Sequence, residues 1–176
     1  MLGEKEKLAR FEQTILPHLD AAYNLARWLT RNEDDAEDMV QEAYLRAFKF
    51  FDAFRGADGR AWLLTIVRNT CYTWLQQNRL QEVTTLFDEE THSVDSEALN
   101  PATLLLESAD HQILTQALNE LPLEFREVLV LRELEGFSYK QIADIANIPT
   151  GTVMSRLARA RERLKKIVCN RVKEKV

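Results

Sequence analysis

Residues 82–108, EVTTLFDEETHSVDSEALNPATLLLES, constrain the fold more than any other stretch. Before Gln81 and again after Ala109, apolar residues recur every three or four positions, as one buried face of a helix requires. Between these limits the stripe fails, Asp, Glu, Ser and Thr accumulate, and every charge is negative. Such a segment offers too little apolar surface to offset its ordering entropy, so it reads as a linker. The expected fold class is all-α: two small helical domains, 1–81 and 109–176, joined by an acidic linker. Five Gly and four Pro in 176 residues are too few for a turn-rich sheet sandwich.

The helical pieces can be placed coarsely. Over residues 5–30, Leu8, Phe11, Ile15, Leu19, Tyr23, Ala26 and Trp28/Leu29 form a stripe, which Pro17 should kink or split. A second helix is expected from about Asp34 to Phe51, its acids suiting the positive helix N-terminus. Its inner stripe is Ala36, Val40, Ala43/Tyr44, Ala47 and Phe51. FRGADG (54–59) reads as a loop, and a third, strongly apolar helix as residues 60–81. Four helices are expected after the linker, over 109–120, 124–134, 138–146 and 150–168. VLVL (128–131) suits a strand by composition, but its helical neighbours favour a helix.

Several function classes are excluded by what the pattern lacks. There is no Gly-rich phosphate loop, no GxSxG and no HExxH, so no catalytic activity is expected. Cys71 and Cys169 stand apart from each other and from His18, His92 and His111, so neither a metal site nor a cofactor is expected. The two thiols read as inert. The first residues lack an apolar signal-peptide core and no run is long enough to span a bilayer, so the chain is expected to be cytoplasmic and free of membrane insertion.

The net charge of −5 hides a segregated distribution. Six acids and no base occupy 33–42; eight acids and no base occupy 82–110; ten bases against three acids occupy 136–176. Local fields, not the overall sign, set what each patch attracts. Two kinds of partner are therefore expected, one of them compatible with nucleic acid.

In the basic segment, Ser138 followed by Gln141 forms a capping-box pattern that starts a helix at Tyr139. Asn147 suits a left-handed turn, Pro149 stops the first helix, and Thr150 is expected to cap the second. The second helix should bury Val153, Leu157, Ala160, Leu164 and Ile167/Val168, leaving Thr152, Ser155, Arg156, Arg159, Arg163 and Lys166 outside. That is helix–turn–helix logic, in which the second helix enters the major groove. The bland alternative is a solvated basic face on a helical hairpin; the cap, small Ala143 and the Asn-Ile-Pro turn favour DNA.

The stretch LNELPLEFREVLVLRELEGFSYKQIADIANIPTGTVMSRLARARERL (118–164) closely resembles region 4 of bacterial extracytoplasmic-function (ECF) sigma factors. The resemblance rests on "LP…R.V..L", "EG.SY..IA" and "P.GTV.SRL.RAR". It implies −35 promoter contacts from Thr152, Met154, Ser155, Arg156, Arg159 and Arg163. Met154 departs from the pattern, since relatives commonly carry Arg or Lys there, so their −35 preference does not transfer.

NEDDAEDMVQEAYLRAFKFFDAFRGADGRAWLLTIVRNTCYTWL (32–75) resembles region 2 of the same family. With Ala36, Val40, Ala43 and Ala47 inside, the helix turns Asp38, Gln41, Glu42, Leu45 and Arg46 outward. That face suits a protein partner, though from chemistry alone a solvated helix with a Glu42–Arg46 pair is the favoured reading. The resemblance implies docking on core RNA polymerase. It likewise implies −10 contacts from Arg55, Asp58, Trp62, Arg68 and Asn69, although Trp62 and Trp74 read first as core residues.

The fold implied is a region 2 helical bundle followed by a region 4 helix–turn–helix. The implied function is promoter recognition and strand opening within the polymerase holoenzyme. The implied partners are bacterial core RNA polymerase (β′ clamp and β flap), promoter DNA and an anti-sigma factor. A linker of this length spans at most roughly 90 Å at about 3.5 Å per residue, and promoter elements about 20 base pairs apart lie roughly 70 Å apart. A stand-alone repressor and a sigma mimic that titrates an anti-sigma factor are the competing readings.

Overall fold

A computed structural model describes residues 3–85 and 108–176. The chain divides into two compact units, with the division between Val94 and Asp95. In the first, α1 (Glu4–Thr14) leads through a 3-10 turn (Leu16–His18) to α2 (Leu19–Thr30). Then come α3 (Glu33–Phe50), a 3-10 turn (Phe51–Ala53) and α4 (Gly59–Thr85). In the second, α5 (Ala109–Glu120) and α6 (Leu123–Leu129) run into a wide turn (Val130–Leu134), followed by α7 (Tyr139–Ala146) and α8 (Thr150–Glu174). No strand occurs among the described residues.

Pro17 splits the first helical stretch as expected, while Leu8 and Leu19, expected in the core, are exposed. α2, α3 and α4 pack on one another around Leu25, Leu29, Leu63, Leu64 and Val67. Fully buried Ala36, Ala43 and Ala47 keep the inner face of α3 flat enough for this approach. α1 joins through edge-on aromatic contacts: Phe11 meets Tyr44, Phe48 and Phe51 with centroids 6.2, 5.3 and 5.4 Å away. α3 begins at Glu33, slightly earlier than expected. Asn32 is its cap, accepting the Asp35 N–H at 3.0 Å.

α4 starts at Gly59, and space requires a glycine there. A Cβ there would stand 2.9 Å from the Thr14 carbonyl oxygen and 3.0 Å from Thr14 Cγ2. Gly59→Ala is expected to cost about 1–3 kcal/mol by overpacking α1 against α4, read as a lower urea midpoint for tryptophan fluorescence. α4 also continues helically to Thr85, past the expected end at Gln81. The rest of the expected linker, 86–107, lies outside the described residues.

The second unit is built on α8, against which α5, α6 and α7 all pack. Val153, Leu157 and Ala160 are its buried stripe, while Leu164, Ile167 and Val168 are only half-buried. Burial of Leu157 alone is worth about 1.5–3 kcal/mol. VLVL is helical, but the helix widens there: the Glu135 N–H bonds the Val130 carbonyl, five residues back, at 3.0 Å. Gly136 follows at φ 71°, a left-handed conformation that a side chain would strain.

Arg126, the Arg of "LP…R", is only 2% exposed. Its guanidinium donates to the carbonyls of Leu121 and Asn119 at 3.0 and 3.3 Å, satisfying the end of α5.

Candidate functional site

Each candidate surface follows from a helix periodicity that leaves one face unburied. On α3, Asp38, Gln41 and Leu45 lie opposite the alanine stripe. Leu45 is 69% exposed, in the centre of that face. Glu42 and Arg46 flank it and hold each other, Nε to Oε1 at 2.8 Å. The expected i,i+4 pair is thus present beside the outward face, and Asp38, Gln41 and Leu45 are what that face offers. Burial raises the Asp35 carboxyl above its ordinary pKa, and neighbouring Asp38 and Asp34 add to the effect. The negative field of the first turns comes from the clustering of Glu33, Asp34, Asp35, Glu37 and Asp38 with no base among them.

The second surface joins the 54–59 loop to α4. Arg55 and Asn69 are exposed. Arg68 lies flat over Tyr72, one helical turn on, at 3.7 Å from the ring centroid, and its Nη1 reaches Asn69 Oδ1 at 3.4 Å. The i,i+4 spacing of Arg68 and Tyr72 is the signal that could have marked this pair as a unit. Two of the expected DNA contacts also have structural work. Asp58 Oδ1 accepts the Ala61 N–H at 3.0 Å and so caps α4. Trp62 is half-buried against Phe54 and Phe51, with centroids 4.9 and 6.3 Å away.

The third surface is the start of α8. Ser138 accepts the Gln141 N–H at 3.1 Å while Gln141 Oε1 accepts the Ser138 N–H at 2.9 Å, a complete capping box on α7. Asn147 takes the left-handed conformation at φ 54°. Thr150 is not the cap of α8: extended Pro149 holds that position and no side chain caps the helix. Pro149 supplies the carbonyl that receives the Thr152 and Val153 N–H groups, so Thr150 falls one position inside.

Met154, Ser155 and Arg159 point to solvent, and Thr152 is half-exposed. Arg156 and Arg163 sit on the flank nearest α6, not on the outermost line. Arg156 Nη2 is 3.8 Å from Glu124 Oε2, and the Arg163 guanidinium lies 5.4 Å from the Phe125 centroid. On the other flank, Arg161 gives Nε and Nη2 to Glu133 Oε1 at 3.1 and 2.7 Å, which raises its pKa further.

Residues 14–81 match the Sigma-70 region 2 family and residues 111–164 the Sigma-70 region 4 family. The chain is 38% identical to the ECF RNA polymerase sigma-E factor of Escherichia coli (strain K12) over 135 residues, 73% of this chain and 71% of that protein. It is 35% identical to the corresponding factor of Haemophilus influenzae over 147 residues, 78% of this chain and 76% of that protein. The chain belongs to the ECF RNA polymerase sigma factor family.

This sigma factor also matches SigE of Mycolicibacterium smegmatis at 31% identity over 163 residues, 93% of its own length but only 63% of that relative. Among solved structures, it resembles the sigma factor RpoE in complex with the anti-sigma factor NepR from Bartonella quintana. That likeness has a TM-score of 0.73 and 34% identity, over 90% of this chain and 96% of that one. A likeness in fold extends to CnrH, solved with the cytosolic domain of CnrY, at TM-score 0.65 and 24% identity over 91% and 88% of the two chains. No helix among the described residues of this ECF sigma factor is long and apolar enough to cross a membrane.

Proposed function

We propose that the chain is an alternative sigma factor, controlled by an anti-sigma factor, that brings core RNA polymerase to promoters and opens them. The observation that carries this reading is the pairing of two unlike surfaces in family order. An acidic, amide-bearing face with Leu45 at its centre lies on α3, and an arginine-lined helix–turn–helix on α7 and α8. An exposed leucine amid acids suits a protein surface, and an outward arginine suits phosphate. In this reading Asp38, Gln41 and Leu45 dock on the polymerase, with Glu42 and Arg46 as a paired rim. Arg55, Asp58, Trp62, Arg68 and Asn69 meet the −10 element, and Thr152, Met154, Ser155 and Arg159 meet the −35 element. Arg156 and Arg163, on the α6 flank, reach phosphates beside it. The RpoE–NepR likeness supports an anti-sigma partner.

The test is reconstitution with bacterial core polymerase and run-off transcription on a promoter library. Specific transcripts that depend on the added chain are expected. Absence of core association at micromolar concentrations would overturn the reading, and tight duplex binding without polymerase would favour a repressor.

A further inference from the structure

The recognition surface of α8 is divided lengthwise. At 100° per residue, Thr152, Ser155 and Arg159 share one side of the outward arc, with Arg156 and Arg163 beyond them toward α6. Gly151, Met154 and Ala158 share the other side. All three are exposed, and a Cβ added at Gly151 would meet nothing within 4 Å. Along α8 the next cation on that side is Arg161, two turns beyond Met154, and Glu133 holds it through two hydrogen bonds. Met154 therefore projects, 55% exposed, from a strip to which the first turns of α8 contribute no charge.

Its position, in the second turn, is where a recognition helix reaches base edges. A thioether is a poor match for the amino donors and ring acceptors that adenine, guanine and cytosine present in the major groove. Water would be stripped from those groups without replacement. Thymine alone adds a methyl group there. Small neighbours at Gly151 and Ala158 let the helix backbone come close enough for the side chain to touch it.

Resting on the −35 reading above, we propose that Met154 is a specificity-determining residue whose Sδ–Cε end packs on the 5-methyl group of one −35 thymine. The chemistry recognised is a methyl group on duplex DNA, and Arg159 on the adjacent line holds the backbone in register.

The experiment uses holoenzyme made from the full chain and bacterial core polymerase, on a promoter selected from a random library by that same holoenzyme. Each −35 thymine is replaced in turn by deoxyuridine, which removes only the methyl. One replacement is expected to weaken binding by about fourfold, the worth of one buried methyl group. Met154→Ala is expected to bind thymine and uracil templates equally, and Met154→Leu to keep the preference. A selected element with no constant thymine, uracil tolerated at every position, or the same uracil penalty in Met154→Ala would each overturn the proposal. Arg159→Ala separates the two levels. If it weakens −35 binding while uracil is harmless, only the methyl contact falls; if it too is harmless, the −35 reading falls as well.

Discussion

Holoenzyme formation by a Gln41→Ala, Leu45→Ala chain is expected to weaken by about 30-fold or more, the scale of one interface hot spot. Both residues are exposed on α3 opposite its alanine stripe, so neither supports the core. Their loss should leave the unfolding midpoint within the small range of ordinary surface changes, about 0.5 kcal/mol. Glu42→Ala has a smaller expected effect, because its carboxylate already spends itself on Arg46 at 2.8 Å. The measurement is a titration of labelled chain with core polymerase, alongside −35 duplex binding as the control. A parallel loss of duplex binding, or an unchanged core affinity, would show that the α3 face is not the docking surface.

The second large effect concerns stability. Arg126→Met keeps a long side chain but removes the guanidinium donors to the Leu121 and Asn119 carbonyls at the end of α5. The expected loss is about 2–4 kcal/mol, since charged hydrogen bonds and desolvated carbonyls are both involved. The two units can be watched separately, because all three tryptophans, Trp28, Trp62 and Trp74, belong to the first. In urea, far-ultraviolet circular dichroism should gain an early phase while the tryptophan fluorescence midpoint stays in place. A single coincident shift would mean that the units unfold together.

What was legible in the sequence was mostly local. The Ser138–Gln141 box, the left-handed Asn147, the break at Pro17 and the alanine stripe of α3 each depend on neighbours a few residues away. Periodicity alone also placed Asp38, Gln41 and Leu45 on one outward face. The misses have two causes. One is a competition within one turn: Pro149 takes the cap position that Thr150 was expected to fill. Others need three dimensions. Arg126 is one more charge in a helix until α5 ends beside it, and Arg156 looks fully outward until α6 places Glu124 at its flank. The widened turn at Val130–Leu134 has no signature in residue spacing at all.

α8 is one unbroken helix from Thr150 to Glu174, and its far end is tied down: Arg171 pairs with Glu120 and bonds Gln116 at 2.9 Å, both on α5. A helix of that length is about 37 Å from end to end. Pivoting it by about 5° at the tied end would carry the first turns roughly 3 Å sideways, close to the rise of one base pair. In the −35 reading proposed above, the aim of the first turns of α8 is therefore expected to depend partly on a carboxylate and an amide of α5, Glu120 and Gln116.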